Sequence, residues 1–306
     1  MKPNVLAYQR NGLGNMVLLT PALQALASLD ESGKIDLCFD SAWQDNRRNA
    51  MVEFCKALPF INEVIEFPDA RLENYKRYFY TNHAYHSKAL EFFQQKDRRL
   101  NIGRLDWEKT GQHEIEYYMD HVRRFFGYSG ETPKQYCPRG EKPVLDHTKP
   151  IIVLCNGSYG HLAASKQWPW FAQLSEALKA FYDATIIKLG YGTELEGVPA
   201  DFDYVEKLPV LESLKVLSQA DLFVTTDTFL MHCADALKVP MVCIWGGSVV
   251  SKNQPVNGKA RLVKLNMGCQ PCHESKADAY RSCVRFPCLS GINPNQVMAA
   301  CREMLP

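Results

Sequence analysis

The chain has 306 residues, a length that fits two domains. Apolar residues make up 46% and charged residues 23%, ordinary globular values that exclude a disordered, collagenous or coiled-coil chain. Thirty-five Lys and Arg stand against 34 Asp and Glu, so the chain lacks the basic excess of a general nucleic-acid binder and no nucleic-acid partner is expected. No stretch approaches the roughly 18 apolar residues of a membrane span. The apolar run from Val5 to Tyr8 is too short for a signal-peptide core, so a cytoplasmic location is expected.

In chain order, Val5 to Gln9 predicts a strand and Asn11-Gly12-Leu13-Gly14-Asn15 a loop. Met16 to Leu29 predicts a helix, with Leu19, Leu23 and Leu26 at helical spacing and Pro21 in its first turn, where a missing N–H costs least. Ile35 to Phe39 and Glu63 to Phe67 predict two more strands. Arg71 to Tyr128 reads as mostly helical and rich in Tyr, Phe, His and Arg. It is either a solvated helical subdomain or a partly cationic wall for an anionic or sugar acceptor. Two prolines and mixed charge between Glu141 and Pro150 place a boundary there, giving domains 1–147 and 148–306. The pattern then restarts. Ile151 to Cys155, Ala184 to Leu189, Leu222 to Thr225 and Met241 to Ile244 predict strands. Trp170 to Phe181, Leu211 to Gln219, Leu230 to Leu237 and Asn293 to Met304 predict helices. Strand–helix alternation implies an α/β fold of parallel sheets, here two Rossmann-like units facing a cleft.

Eleven cysteines are many for a chain without an export signal, and the odd number argues against a disulfide framework. Cys38, Cys55, Cys137, Cys155, Cys233 and Cys243 are scattered in apolar surroundings and are expected in the core, as is Cys301 on the last helix. Cys269, Cys272, Cys283 and Cys288 form a Cys-rich segment, 269–288. Four thiolates at that spacing suit a closed, structural zinc site, with iron as the other candidate. Free thiols and disulfides remain the alternatives. Cys269-x-x-Cys272-His273 also has the spacing of covalent haem attachment, a modification made outside the cytoplasm.

Gly12-Leu13-Gly14 between a strand and a helix resembles the start of a dinucleotide fingerprint, although Val17 occupies the third glycine position. Asp40 ends the second strand, where a ribose-binding acid would sit. The loop therefore fits a nicotinamide oxidoreductase, a plain tight turn, or the rim of a sugar-binding cleft. Asp227-Thr228 follows an apolar strand and opens a helix carrying His232, a place where free N–H groups suit a diphosphate. Lys166, in another strand-to-helix loop, can supply a point charge to phosphate.

Taken together these residues resemble glycosyltransferase family 9, the heptosyltransferases. The resemblance rests on Arg10 to Leu23, on Asn156-Gly157-Ser158 through Lys166-Gln167-Trp168-Pro169, and on Asp227 to His232 with Ala236-Leu237 and Val239-Pro240. His113-Glu114 with Tyr117, and the tail ending in Ile292-Asn293-Pro294, also fit. It implies a GT-B architecture, with the acceptor bound by the N-terminal domain, the donor by the C-terminal one, and the last helix crossing back. It also implies inverting transfer of heptose from ADP-heptose to a glycan such as lipopolysaccharide core, or alternatively to a protein. No cofactor would be needed for catalysis, and peripheral association with the inner membrane would follow from a lipid-linked acceptor. By position, Lys166, Glu194, Asp227, Thr228 and His232 would hold the donor, and Asn11, Gly12 and Gly14 would form the acceptor-side loop.

The chain departs from the family at Asn15, where a general-base Asp is usual, and at Phe229, where Gly is usual. A neutral amide does not by itself take a proton near pH 7. Asp40 is then a candidate substitute base. The other reading of Asn15 is a weak or silent nucleotide-sugar-binding homologue.

Overall fold

The computed structural model describes the chain except residues 1, 10–11, 41–45, 82–86, 101–106, 140–144, 146–147, 158–163, 193–194, 273–282 and 284, and the side chains of 40, 46–47, 107–108 and 164. The chain forms two compact units, one of residues 1–106 and 112–138, the other of residues 107–111 and 139–306. The expected boundary at 147/148 borders residues outside those described.

The first unit contains β1 (Val5–Gln9), α1 (Leu13–Ser28), β2 (Ile35–Asp40), α2 (Asn46–Lys56), β3 (Ile61–Phe67), β4 (Arg77–Phe79) and α3 (Lys88–Lys96). After α4 (Trp107–Thr110), which groups with the second unit, comes α5 (Glu114–Phe126). Among the described residues the sheet order is β3-β2-β1-β4, every pair parallel. All five residues of β1 are buried, as a parallel strand covered on both faces must be. The described part of 71–128 is mostly helical, and the structure adds one strand there, β4. Three residues are too few to show a period of two, and this strand exists because Val5 to Ala7 offer it a free edge.

Helix α1 begins earlier than the sequence suggested, which moves Pro21 from the first turn to the middle of the helix. The Val17 carbonyl, which residue 21 would otherwise bond, accepts instead from the Thr20 hydroxyl at 2.7 Å. The same hydroxyl accepts from the Tyr136 N–H at 2.9 Å, tying the end of this unit to α1. Helix α5 is capped by His113, whose Nδ1 accepts from the Ile115 N–H, and ends at Gly127 with a left-handed φ of 76°.

The second unit continues with β5 (Ile151–Cys155), α6 (Phe171–Tyr182), β6 (Thr185–Lys188), β7 (Phe202–Asp203), α7 (Val210–Leu217), β8 (Leu222–Thr226) and α8 (Phe229–Leu237). Then follow β9 (Met241–Trp245), α9 (Val250–Asn253), β10 (Ala260–Lys264), α10 (Pro287–Ser290) and α11 (Pro294–Met304). Among the described residues its order is β10-β9-β8-β5-β6-β7, again all parallel. The order reverses at β5, which pairs with β6 on one side and β8 on the other. The crevice beyond the carboxyl ends of β5 and β8 is therefore where an open α/β sheet receives a ligand. Helix α11 groups with the second unit. Its apolar stripe, Val297, Met298, Ala300 and Cys301, is spent in the second unit's core, against α6, β9 and β10.

Candidate functional site

The two loops that flank the β5/β8 reversal carry the residues singled out for donor binding. After β5, Asn156 fixes the loop by two hydrogen bonds with the main chain of Trp168, donating to its carbonyl at 3.1 Å and accepting from its N–H at 2.9 Å. The Trp168 indole is fully buried and donates to the Ile292 carbonyl at 2.8 Å. Gly157 takes a φ of 90°, a conformation that favours glycine, and its N–H reaches Thr226 Oγ1 at 2.9 Å. The loop thereby returns to β8 and delivers Lys166 from a short 3-10 turn, Ala164–Lys166.

Lys166 Nζ donates to Asp227 Oδ2 at 2.6 Å. The same oxygen accepts from Ser248 Oγ at 2.6 Å, and Asn253 Nδ2 lies 3.4 Å from Oδ1. Asp227 is buried. Burial pushes its carboxyl up, but the Lys166 ammonium, the field of His232 and the hydrogen bonds from Lys166 and Ser248 together hold it well below the usual carboxylate range. Thr228 caps α8, its Oγ1 accepting from the Met231 N–H at 3.2 Å and meeting Thr225 Oγ1 at 3.2 Å. His232 lies one turn further on, 4% exposed. The structure thus brings Lys166, Asp227, Thr228 and His232 to one helix end. Ser248 and Asn253, which sequence reasoning missed, complete the carboxylate's partners. The signal for Ser248 was available. It follows Gly246-Gly247 at the end of β9, and β9 neighbours β8, so their carboxyl ends lie side by side.

Ser248 also lines a cavity of about 630 Å³ at the carboxyl ends of β9 and β10, together with Trp245, Val249, Lys264, Asn266 and Met267. That volume lies in the range of small-molecule sites, about 300–1,000 Å³. Glu194, the looser donor-side candidate, lies outside the described residues.

In the first unit β1 pairs with β2 and β4, so its sheet reverses at β1 and the loop after β1 stands at that point. Asn11 lies outside the described residues, as does the side chain of Asp40. Gly12 is the N-cap of α1 and supplies no side-chain cap. Gly14 and Asn15 lie in the first turn. Val17, at the third glycine position of a dinucleotide fingerprint, is a fully buried side chain filling the space a glycine would leave for close helix–strand packing. Asn15 Nδ2 donates to Glu114 Oε1 at 2.6 Å, and Tyr118 Oη donates to the same oxygen from one turn along α5.

The cysteines separate as the sequence suggested. Cys38, Cys55, Cys137, Cys155, Cys233, Cys243 and Cys301 are buried. Cys288 is buried, Cys272 and Cys283 are half-buried and Cys269 is exposed. Burial and then the neighbouring thiols of Cys272, Cys283 and Cys269 push the Cys288 thiol up to about 11, so those three lie within electrostatic reach of Cys288. Among the described residues, no group of three or more His, Cys, Asp or Glu stands at metal-holding distances. The start of the segment is held by two hydrogen bonds, from the Cys272 N–H to the Gly247 carbonyl at 2.9 Å and from the Gln270 side-chain Nε2 to the Gly246 carbonyl at 2.8 Å.

Residues 93–281 match the pattern of the family described as glycosyltransferase family 9 (heptosyltransferase). Over 176 residues the chain is 29% identical to lipooligosaccharide heptosyltransferase 2 of Campylobacter jejuni, a match covering 53% of this chain and 53% of that relative. Aligned in space, 100% of the chain superposes on 98% of the E. coli ADP-heptose lipopolysaccharide heptosyltransferase II at a TM-score of 0.72 and 18% identity. The dodecameric iron-containing heptosyltransferase TibC, solved with ADP-D-beta-D-heptose, aligns at a TM-score of 0.68 and 16% identity, over 99% of this chain and 76% of that one. These two likenesses show a shared fold of two parallel-sheet units.

Proposed function

The chain belongs to glycosyltransferase family 9, and on that premise we propose that it transfers a sugar, heptose from ADP-heptose, to a hydroxyl of a glycan acceptor with inversion. The observation that carries this reading is the cluster at the N-terminus of α8. There Lys166, Asp227, Thr228 and His232 converge beside a cavity of about 630 Å³ that shares Ser248 with them. A helix N-terminus offers free N–H groups and partial positive charge to a diphosphate. Asp227 holds Lys166 in place and leaves the remaining ammonium hydrogens for phosphate oxygens. Thr228 caps the helix with its oxygen and meets the Thr225 hydroxyl, which fixes the helix end that faces the diphosphate. His232 adds a ring nitrogen from the next turn, and Glu194 is assigned to the nucleoside. Gly12 and Gly14, with Asn11, shape the acceptor side, and Asn15 faces the attacking hydroxyl. The lipooligosaccharide and lipopolysaccharide heptosyltransferases that the chain resembles favour such a core as the acceptor, which would bring the enzyme to the inner face of a membrane.

Isothermal titration with ADP, UDP, GDP and ADP-heptose tests the donor. Binding of ADP and ADP-heptose, weakened at least about tenfold by Lys166→Ala through the lost phosphate contact, is expected. No binding of any nucleotide overturns the reading.

The Cys-rich segment is assigned a structural zinc or iron ion held by Cys269, Cys272, Cys283 and Cys288. The donor type suits either metal, since four thiolates are soft ligands that leave no position open for substrate, but no three of these sulfurs stand at metal-holding distances, so binding would have to draw the segment together. The ion would hold the segment against Gly246-Gly247 and take no part in transfer. Elemental analysis of protein purified without chelator is expected to find stoichiometric metal, and a content far below one ion per chain removes the assignment.

A further inference from the structure

The family's base position holds an amide, yet a carboxylate stands directly behind it. Glu114 is the first residue of α5, 0% exposed, and its Oε1 accepts from Asn15 Nδ2 at 2.6 Å and from Tyr118 Oη. The contact fixes which way the Asn15 amide points, because only the NH₂ can donate to a carboxylate. Asn15 Oδ1 is therefore the atom turned away from Glu114, and Asn15 is half-buried whereas Glu114 is sealed from solvent. The first turn of a helix favours a carboxylate, and two donors meet the same Glu114 oxygen there. Burial first, and then the charge and hydrogen bond of Glu114, push the Tyr118 hydroxyl well up, so Tyr118 stays a donor.

The geometry points to a two-residue base: Asn15 receives the acceptor's proton and Glu114 stores its equivalent. This rests on the glycosyltransferase reading above. As the acceptor oxygen bonds to the anomeric carbon and the bond from that carbon to the diphosphate breaks, the hydroxyl proton moves to Asn15 Oδ1. In the same step an Nδ2 proton of Asn15 moves to Glu114 Oε1. The amide becomes its imidic-acid tautomer and the carboxylate a carboxylic acid. After product leaves, Oδ1 loses its proton to water and Glu114 returns its proton to Nδ2. One proton reaches solvent per transfer, and no group beyond those named is consumed. A carboxylate that never touches substrate can act in this way, which its complete burial requires.

The test uses the full chain and reads ADP release from ADP-heptose, with either water or a core oligosaccharide as acceptor, beside calorimetric ADP binding. Glu114→Gln keeps an oxygen to accept from Asn15 but cannot take a proton. It is expected to lower kcat about 10²- to 10⁴-fold with ADP affinity unchanged. Asn15→Asp in the Glu114→Gln background is expected to restore at least about tenfold, since a carboxylate then meets the hydroxyl directly. The wild-type pH profile of kcat should show an acid limb that disappears in Glu114→Gln. Retention of kcat within about threefold in Glu114→Gln overturns the relay, as does loss without rescue by Asn15→Asp, which would place the effect in packing. A wild type that binds ADP but releases none from ADP-heptose, while Asn15→Asp does, also overturns it. Failure of the wild type to bind ADP overturns the glycosyltransferase reading instead.

Discussion

Asp227 illustrates how one side chain can set both stability and the geometry of a site. It is buried, and its carboxyl is held below its ordinary value of 3.8, with burial opposing and Lys166 leading the groups that favour the charge. Removing one partner of a buried pair leaves the other uncompensated, so Asp227→Asn is expected to cost about 3 kcal/mol, read as a lower urea midpoint at pH 7. Below its unfolded value the folded protein binds fewer protons at this site than the unfolded chain. The contribution is therefore complete above about pH 4 and is lost as pH falls further. The gap between wild type and Asp227→Asn should close in urea melts taken below pH 4, and a constant gap down to pH 3 would refute this account. Asn15 and Glu114 make a complementary point. They lie 99 positions apart, and no local pattern in the sequence joins them. Helix α5 alone brings the carboxylate to α1.

At the scale of elements, caps and substitute hydrogen bonds decide where helices begin and how they survive odd residues. Thr228 satisfies the Met231 N–H at the start of α8, so Thr228→Ala is expected to cost about 1 kcal/mol, whereas Thr228→Ser should cost little. Denaturation midpoints of the two variants check this, and equal midpoints would remove the cap from the account. Helix α1 depends on Thr20, which serves the Val17 carbonyl left over by Pro21 and the Tyr136 N–H. Thr20→Val keeps the shape and leaves the buried Val17 carbonyl and the half-buried Tyr136 N–H without this partner, an expected loss of about 1–3 kcal/mol. A thermal melt within a degree or two of wild type would show that neither bond matters. Strands β1 and β5 were legible in the sequence because a doubly covered parallel strand is a continuous apolar run. Strand β10 was not. Ala260 to Lys264 is half-exposed at a sheet edge and mixes charge with apolar residues, so pairing with β9 makes it a strand where pattern does not.

Across the whole molecule, the two units should respond differently to acid. His121 on α5 is 2% exposed, and burial lowers its affinity for a proton against the opposing pull of the Tyr117 carbonyl. The folded state then binds fewer protons here than the unfolded chain, so this contribution is present above pH 6.5 and lost as pH falls through that value. The first unit should weaken near pH 6, and the second, which contains Asp227, only below about pH 4. Trp107, Trp168, Trp170 and Trp245, four of the chain's five tryptophans, lie in the second unit and report on it. At pH 6 the far-UV signal should begin to fall at lower urea than tryptophan emission, with the two coincident at pH 8. Coincident transitions at both values would deny His121 that role. The sequence by itself determined the α/β class, the strand–helix alternation of the apolar strands and the two loops that bear Lys166 and Asp227-Thr228, because periodicity, turn chemistry and helix-start residues are local properties. Only the tertiary structure decided that Lys166 is clasped by Asp227, that Ser248 joins that cluster to a cavity, and that Glu114 stands behind Asn15. Those contacts follow from strand order and helix packing, which bring together residues that no spacing along the chain relates.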